Sequence, residues 1–345
     1  MKRKTNLIYI FILLTIIVLG CVAGYFYFRF RPAPSDFNIT EPVSIYIDEK
    51  KDYYGLLRDL ESVANIKNLA QFKKLASAAQ YKDNMLTGRY VITPTMSCAD
   101  AFGMFLNGRQ TPVQITFNNI RLKSDFAEKV GSQFMFGSES LLKKIRNPFF
   151  CEIFGFDTTT IACIFIPNTY EMYWNTSEFK FIERMKKEYE RFWTAERLEK
   201  ANAIPLTPVQ VAVLASIVEE ETSRKSDYPI IAGLYINRLR KNMLLQADPT
   251  VKFAVGNFSL RRILYRHLNV NSPYNTYKYP GLPPGPIRFP SIAGMDSVLN
   301  YTPHNYLFMT AKEDLSGGTN FAVTHAEHVR NARKYQATLN RNRIR

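Results

Sequence analysis

Thr207-Pro-Val-Gln-Val-Ala-Val-Leu-Ala-Ser-Ile-Val-Glu-Glu-Glu-Thr222 carries its own helix start. Thr207 suits an N-cap, Pro208 stands at the first helical position, and Gln210 completes a capping box. Val209, Val211, Ala212, Val213, Leu214, Ala215, Ile217 and Val218 leave no polar face, so the pattern predicts a helix buried in a core. Three carboxylates end it, and at about 100° per residue they fan apart. Glu219 lies one turn beyond Ala215 and Ser216, over a stripe of small residues. A carboxyl group emerging there is partly desolvated, which raises its pKa. A raised pKa is what a general acid needs near neutrality. The alternative is that Glu219, Glu220 and Glu221 simply solvate a helix end, as exposed acidic residues commonly do.

Downstream, Ile230 to Leu239 reads as a second helix with Asn237 and Arg238 near its end. Leu245-Gln-Ala-Asp-Pro-Thr-Val251 follows, where Asp248 precedes Pro249 and is expected to cap or turn rather than be helical. Ser272-Pro-Tyr-Asn-Thr-Tyr277 and Gly281-Leu-Pro-Pro-Gly-Pro-Ile287 are long non-helical loops. Loops of that length inside a domain are usually functional. Their prolines limit the entropy lost on binding, and their tyrosines offer flat faces to sugar rings. Asn and Gln supply the paired donors and acceptors that hydroxyl and acetamido groups need. A carboxylic acid beside such a groove suggests a carbohydrate-active enzyme.

Upstream, Val113–Phe117 reads as a strand and Lys123 to Phe134 as an amphipathic helix capped near Ser124 or Asp125. Residues 137–160 show no clear pattern, and Phe165 to Tyr170 reads as a loop carrying an aromatic. Phe179 to Leu198 is expected to be one long charged helix, with Phe181, Met185, Tyr189 and Phe192 as its apolar stripe. Earlier still, Val43–Ile47 alternates like a strand. Tyr53 to Leu60 and Asn68 to Ala79 read as helices, Leu86 to Ile92 as a strand, and Ser97 caps a helix running to Leu106. Strand, two helices and strand suit a small glycan-binding module of the LysM type; a plain packing domain without ligand is the alternative.

Leu7 to Phe28 is apolar and about long enough to span a bilayer. Lys2, Arg3 and Lys4 precede it, weakly favouring a cytoplasmic N-terminus, and Tyr25 to Phe28 suit the far interface. Val18-Leu-Gly-Cys21 resembles a lipoprotein processing site, but the apolar run continues past Cys21, which fits an uncleaved anchor better. Arg31-Pro-Ala-Pro-Ser35 then reads as a stiff linker. Beyond the anchor, Cys98, Cys151 and Cys163 have apolar surroundings and are expected as buried free thiols; a Cys151–Cys163 bridge stays open. His325 and His328 lack partners at ligand spacing, so no metal is expected. The net charge is +15. Its Lys and Arg are dispersed rather than gathered in a nucleic-acid module, so an anionic membrane or cell-wall polymer suits it better than nucleic acid. No period of 20–50 residues repeats. The expected fold is α+β: a tip and single transmembrane helix over 1–31, a small LysM-like domain over 38–112, and a mixed α/β catalytic domain over 113–345.

Ala215-Ser-Ile-Val-Glu-Glu-Glu-Thr222, Ile236-Asn-Arg-Leu239, Leu245 to Val251, Tyr274-Asn-Thr-Tyr277 and Gly281-Leu-Pro-Pro-Gly285, in this order and spacing, resemble the MltG-type (YceG-like) endolytic murein transglycosylases. The likeness runs from about residue 40 to the C-terminus, where Phe321-Ala-Val-Thr-His325 also fits. It implies a bitopic bacterial inner-membrane enzyme with its catalytic domain in the periplasm, and no cofactor. Such an enzyme cleaves within peptidoglycan glycan strands between N-acetylmuramic acid and N-acetylglucosamine, leaving a 1,6-anhydro-muramic end. The resemblance further implies release of nascent strands and partnership with peptidoglycan synthases. It assigns catalysis to the first glutamate after the Ser-Ile-hydrophobic triplet, Glu219; Glu221, in the same acidic run, is the secondary candidate. Two departures stand out: the family usually has Lys where this chain has Glu220, and often Thr where it has Ala247.

One carboxyl group suffices for that reaction. It protonates the glycosidic oxygen, then deprotonates the C6 hydroxyl of the muramoyl sugar, which attacks its own anomeric carbon with the high effective concentration of an intramolecular nucleophile. Gln246, Asp248, Thr250, Tyr274, Asn275 and Tyr277 are the expected substrate contacts, with Asn275 or Gln246 steadying the acetamido group or developing charge. Two other readings remain. One is a muramidase that hydrolyses the same bond with Asp248 as second carboxylate; the other is a non-catalytic glycan-binding scaffold.

Overall fold

The computed structural model describes residues 35–260 and 263–342, together with Leu19, Gly20 and Val22. The expected anchor apart from those three positions, Cys21, the linker before Ser35 and the basic residues Arg343 and Arg345 lie outside the described residues. Among the described residues no single helix is long and apolar enough to cross a membrane. The architecture is mixed α/β, with three two-stranded sheets among many helices. The chain divides into two compact units between Pro112 and Val113.

In the first unit, β1 (Val43–Ile47) pairs antiparallel with β2 (Gly88–Ile92), with Val43 opposite Ile92 and Ile47 opposite Gly88. Alternation sends Ile45, Ile47, Tyr90 and Ile92 inward while Tyr46 stays exposed. Between the strands lie α1 (Tyr53–Ser62) and α2 (Leu69–Ala78). They turn Leu56, Leu57, Leu60 and Phe72 onto the core shared with α3 (Cys98–Leu106). Asn68 and Ser97 cap α2 and α3 by accepting the N–H groups of Gln71 and Asp100.

The second unit opens with β3 (Val113–Thr116) and α4 (Lys123–Phe126). The helix expected to continue to Phe134 instead widens into a π turn over Ala127–Gly131, which puts Ala127, Val130 and Gly131 together in the core. The unreadable stretch contains α5 (Gly137–Ile145) and α6 (Pro148–Ile153), the latter capped by Asn147. The expected loop at Phe165–Tyr170 runs into a strand: β4 (Thr169–Met172) pairs with β3 and buries Tyr170. The expected long helix is two, α7 (Glu178–Phe192) and α8 (Ala195–Ala203). Thr194 accepts the Arg197 N–H, and this cap competes with helix continuation.

The helix read first is α9 (Pro208–Glu221), with the capping box of Thr207 and Gln210 formed in both directions. Val211 to Glu219 are all buried, and α9 packs against α10 (Tyr228–Arg240), α11 (Asp248–Val255) and, after the short α12 (Tyr265–Leu268), α13 (Ile292–Leu299). Asp248 is the first residue of a helix, correcting the expected turn: Pro249 needs no intrahelical N–H partner there, and Gly256 closes α11 in the left-handed region. The hairpin of β5 (Phe308–Ala311) and β6 (Thr319–Ala322) and then α14 (His325–Arg341) complete the unit.

Candidate active site

The three glutamates at the end of α9 face three environments. Glu219 is the most enclosed, its side chain only 3% exposed. Its Oε1 accepts the backbone N–H of Ser291 at 2.7 Å, and Ser291 is the N-cap of α13, so the carboxylate meets the positive end of that helix. Arg288 faces it at 3.3 Å as a charge, without hydrogen-bond geometry. Gly294 lies against the carboxyl so closely that any Cβ would collide with Oε1. Burial raises the Glu219 pKa, while Arg288 and the Ser291 N–H oppose the rise. Glu220 lies between two guanidinium groups, Arg121 at 2.5 Å and Arg288 at 3.1 Å.

Glu221 turns the other way. Its Oε1 accepts the Tyr235 hydroxyl at 2.5 Å. Burial pushes its pKa up to about 7; the Tyr235 hydrogen bond opposes the shift, and the Asp248 charge adds to it. The carboxyl lines a cavity of about 480 Å3. Gln246, Asp248 and Tyr277 line it from one part of the chain, and Thr310 of β5, Thr319 of β6 and His328 of α14 from another. Tyr277 donates to Asp248 Oδ1 at 2.6 Å. Arg238 braces these two parts: buried at 6% exposure, it donates to the carbonyls of Leu244, Leu245 and Leu307, joining α10 to both.

The loops before α13 are tied to α9. Ile287 N–H donates to the buried Ser216 hydroxyl at 3.0 Å, one turn before Glu219 and Glu220. Phe289 stacks on Phe126 with ring centroids 4.7 Å apart.

The YceG-like family model matches residues 45–334. The chain belongs to the YceG-like family. An endolytic murein transglycosylase of Bacillus subtilis is 40% identical over 131 residues, 38% of this chain and 36% of the relative. The endolytic murein transglycosylase of Streptococcus pneumoniae serotype 2 is 25% identical over 370 aligned positions, 96% of this chain and 65% of the relative. The chain thus spans less than two thirds of the length of both. The crystal structure of a yceG-like protein from Listeria monocytogenes is similar with a TM-score of 0.55 at 25% identity, covering 84% of this chain and 99% of that one.

Of the expected site residues, the structure gathers Glu221, Gln246, Asp248 and Tyr277 around one cavity. Four others lie elsewhere. Glu219 is enclosed, as described. Thr250 is fully buried and bonds to Ala247 and Thr276. Asn275 is 0% exposed; its amide donates to Leu268 and Val270 and its oxygen accepts the Tyr277 N–H, so it shapes the loop and has nothing left for a sugar. Tyr274 packs on Phe253 and lines a different cavity. Tyr235 and Arg288 escaped the sequence reading, which weighed His328 only as a metal ligand. Only Arg238 left a signal there, as a cation near the end of an otherwise apolar helix.

Proposed function

We propose that this chain is an endolytic lytic transglycosylase acting on peptidoglycan, with Glu221 rather than Glu219 as its acid and base. The observation carrying the reading is a carboxyl group with a pKa of about 7 in a cavity beside Gln246, Asp248 and Tyr277. The names of the Bacillus and Streptococcus relatives support the substrate. Protonated Glu221 gives its proton to the glycosidic oxygen between N-acetylmuramic acid and N-acetylglucosamine as the bond to the anomeric carbon breaks. The carboxylate so formed takes the C6 hydroxyl proton as that oxygen closes on the anomeric carbon, leaving a 1,6-anhydro end and restoring the acid. Tyr235 holds one carboxyl oxygen and so orients the other. Gln246 offers an amide to a sugar substituent. The setting would be the periplasmic face of a bacterial inner membrane, anchored through residues 7–28. The biological role would be to end strand elongation beside peptidoglycan synthases, with the 38–112 unit as a LysM-like glycan contact.

Asp248 supports a second reading, hydrolysis by a carboxylate pair, because it lies in the same cavity as Glu221. Digestion of uncross-linked glycan strands by the whole chain separates the two. Wild type should yield anhydro ends, lighter by one water than hydrolysis products. Glu221→Gln should yield none, and Glu219→Gln should retain them. Reducing ends would establish hydrolysis, and loss of activity in Glu219→Gln alone would return the acid to Glu219.

A further inference from the structure

The second unit holds a cationic cavity that the reaction above does not use. It measures about 280 Å3 and is lined by Arg121, Lys123, Arg146, Thr159, Tyr274 and Arg288, with no carboxylate among its lining residues. Arg121 and Arg288 are balanced by Glu220 outside it. Among the described residues, Lys123 and Arg146 make no ion pair. Lys123 donates to the Thr158 carbonyl, and burial, reinforced by the Arg146 charge, lowers its pKa. Asp157 is the carboxylate whose charge favours ionised Lys123, more weakly than Cys151 does, and its Oδ1 is engaged by the N–H and hydroxyl groups of Thr159 and Thr160. Two neighbouring cations, one half-buried, therefore converge on a cavity without a counter-ion, an arrangement that an incoming anion relieves.

The cavity neighbours the candidate catalytic centre across a cleft that Glu219 and Glu220 also line. This cleft of about 640 Å3 shares Glu221 and Thr222 with the Glu221 cavity, and Arg121 and Arg288 with the cationic one. In peptide-bearing peptidoglycan the muramoyl carboxyl is taken up in the amide to the peptide, so the carboxylates lie out on the peptides; in a stripped strand they lie on the sugars themselves. We propose that the Lys123–Arg146 cavity binds a carboxylate of such an acidic peptide while the sugar chain lies at Glu221; this rests on the substrate reading given above. The strand is then held at two points, and only strands that still carry acidic peptides gain the second.

The test uses the whole chain as Glu221→Gln, so that binding is read without turnover. Its affinity is measured for three kinds of strand: peptide-bearing, peptide-stripped, and peptide-bearing with the carboxylates amidated. Peptide-bearing strands should bind about three- to tenfold more tightly than the other two, with the advantage shrinking as salt is added. Adding Arg146→Ala, an exposed position, or Lys123→Met should shrink it too. Equal affinity for all three strands, or an advantage that survives both substitutions, overturns the site. Peptide-dependent binding in a protein whose wild type cleaves no strand keeps the site and rejects the reaction.

Discussion

A carboxyl group titrating at about 7 sets the pH range over which Glu221 acts as an acid. The proton is present below that value and lost above it. The rate of strand cleavage should therefore fall through a limb near pH 7, and Glu221→Gln should lower it by about 10²- to 10⁴-fold; an unchanged alkaline limb in a residually active Glu221→Gln would assign it to another group. The same shift bears on stability. Because the folded-state pKa lies above the ordinary 4.5, the folded protein holds this proton more tightly than the unfolded chain. Wild type therefore loses stability as pH rises from about 4.5 to 7, by up to about 3 kcal/mol. Thermal melts at pH 8 should show Glu221→Gln more stable than wild type, and the gap should close at pH 4. At this scale the sequence was half legible. Small residues beneath Glu219 announced its burial, and its carboxyl is held by the Ser291 N–H at the edge of a cleft that it lines together with Glu220 and Glu221. That Glu221 alone of the three meets the cavity of Gln246, Asp248 and Tyr277 depends on Tyr277 and on the residues from Thr310 to His328, and no local pattern near residue 219 encodes them. Asn275 shows the converse: a polar residue in a loop reads as a ligand contact, yet here it holds the loop itself.

Helix α9 was the most legible element, because a capping box, an N1 proline and an unbroken apolar run agree. Its partner α13 was not foreseen, and the fit between the two depends on Gly294. The Gly294→Ala substitution should push Glu219 off the Ser291 N–H and destabilise the protein by about 2–4 kcal/mol, beyond the loss typical of overpacking alone. Urea titration would measure it, and a loss under 1 kcal/mol would show that the carboxyl can move aside. Two elements were missed although their signals were present: Asn147-Pro148 and Pro249 with Gly256 are start and stop marks of short helices. The break between α7 and α8 was harder to read, since Thr194 is an ordinary helical residue until its hydroxyl finds the Arg197 N–H.

Each unit has its own apolar core, one drawn from residues 37–105 and the other from residues 115–299. The order of elements in the first was readable because each strand and helix alternates with its own clear period. The second depends on pairings such as β3 with β4, which join residues more than fifty positions apart. Cys98, Cys151 and Cys163 are free and at most 1% exposed, and burial lifts the Cys98 thiol to about 11 and that of Cys163 further. An alkylating reagent at pH 8 should leave these three unmodified in the folded chain and label all of them in denaturant, as peptide mass mapping would show. Labelling of Cys151 or Cys163 without denaturant would mean that the core of the second unit opens.

Glu220 stands where the family resemblance leads one to expect Lys, and its two arginine partners give that position a consequence for charge reversal. A lysine placed there alone would confront Arg121 and Arg288 with a like charge in a partly enclosed cleft. Glu220→Lys should cost about 1–3 kcal/mol, and Arg121→Glu in the same chain should recover part of it. A lysine at position 220 is then expected to be deleterious on this background until a second site changes. Positions 220 and 121 are thus coupled through one ion pair, so the charge at the first should be reversible only in step with the second.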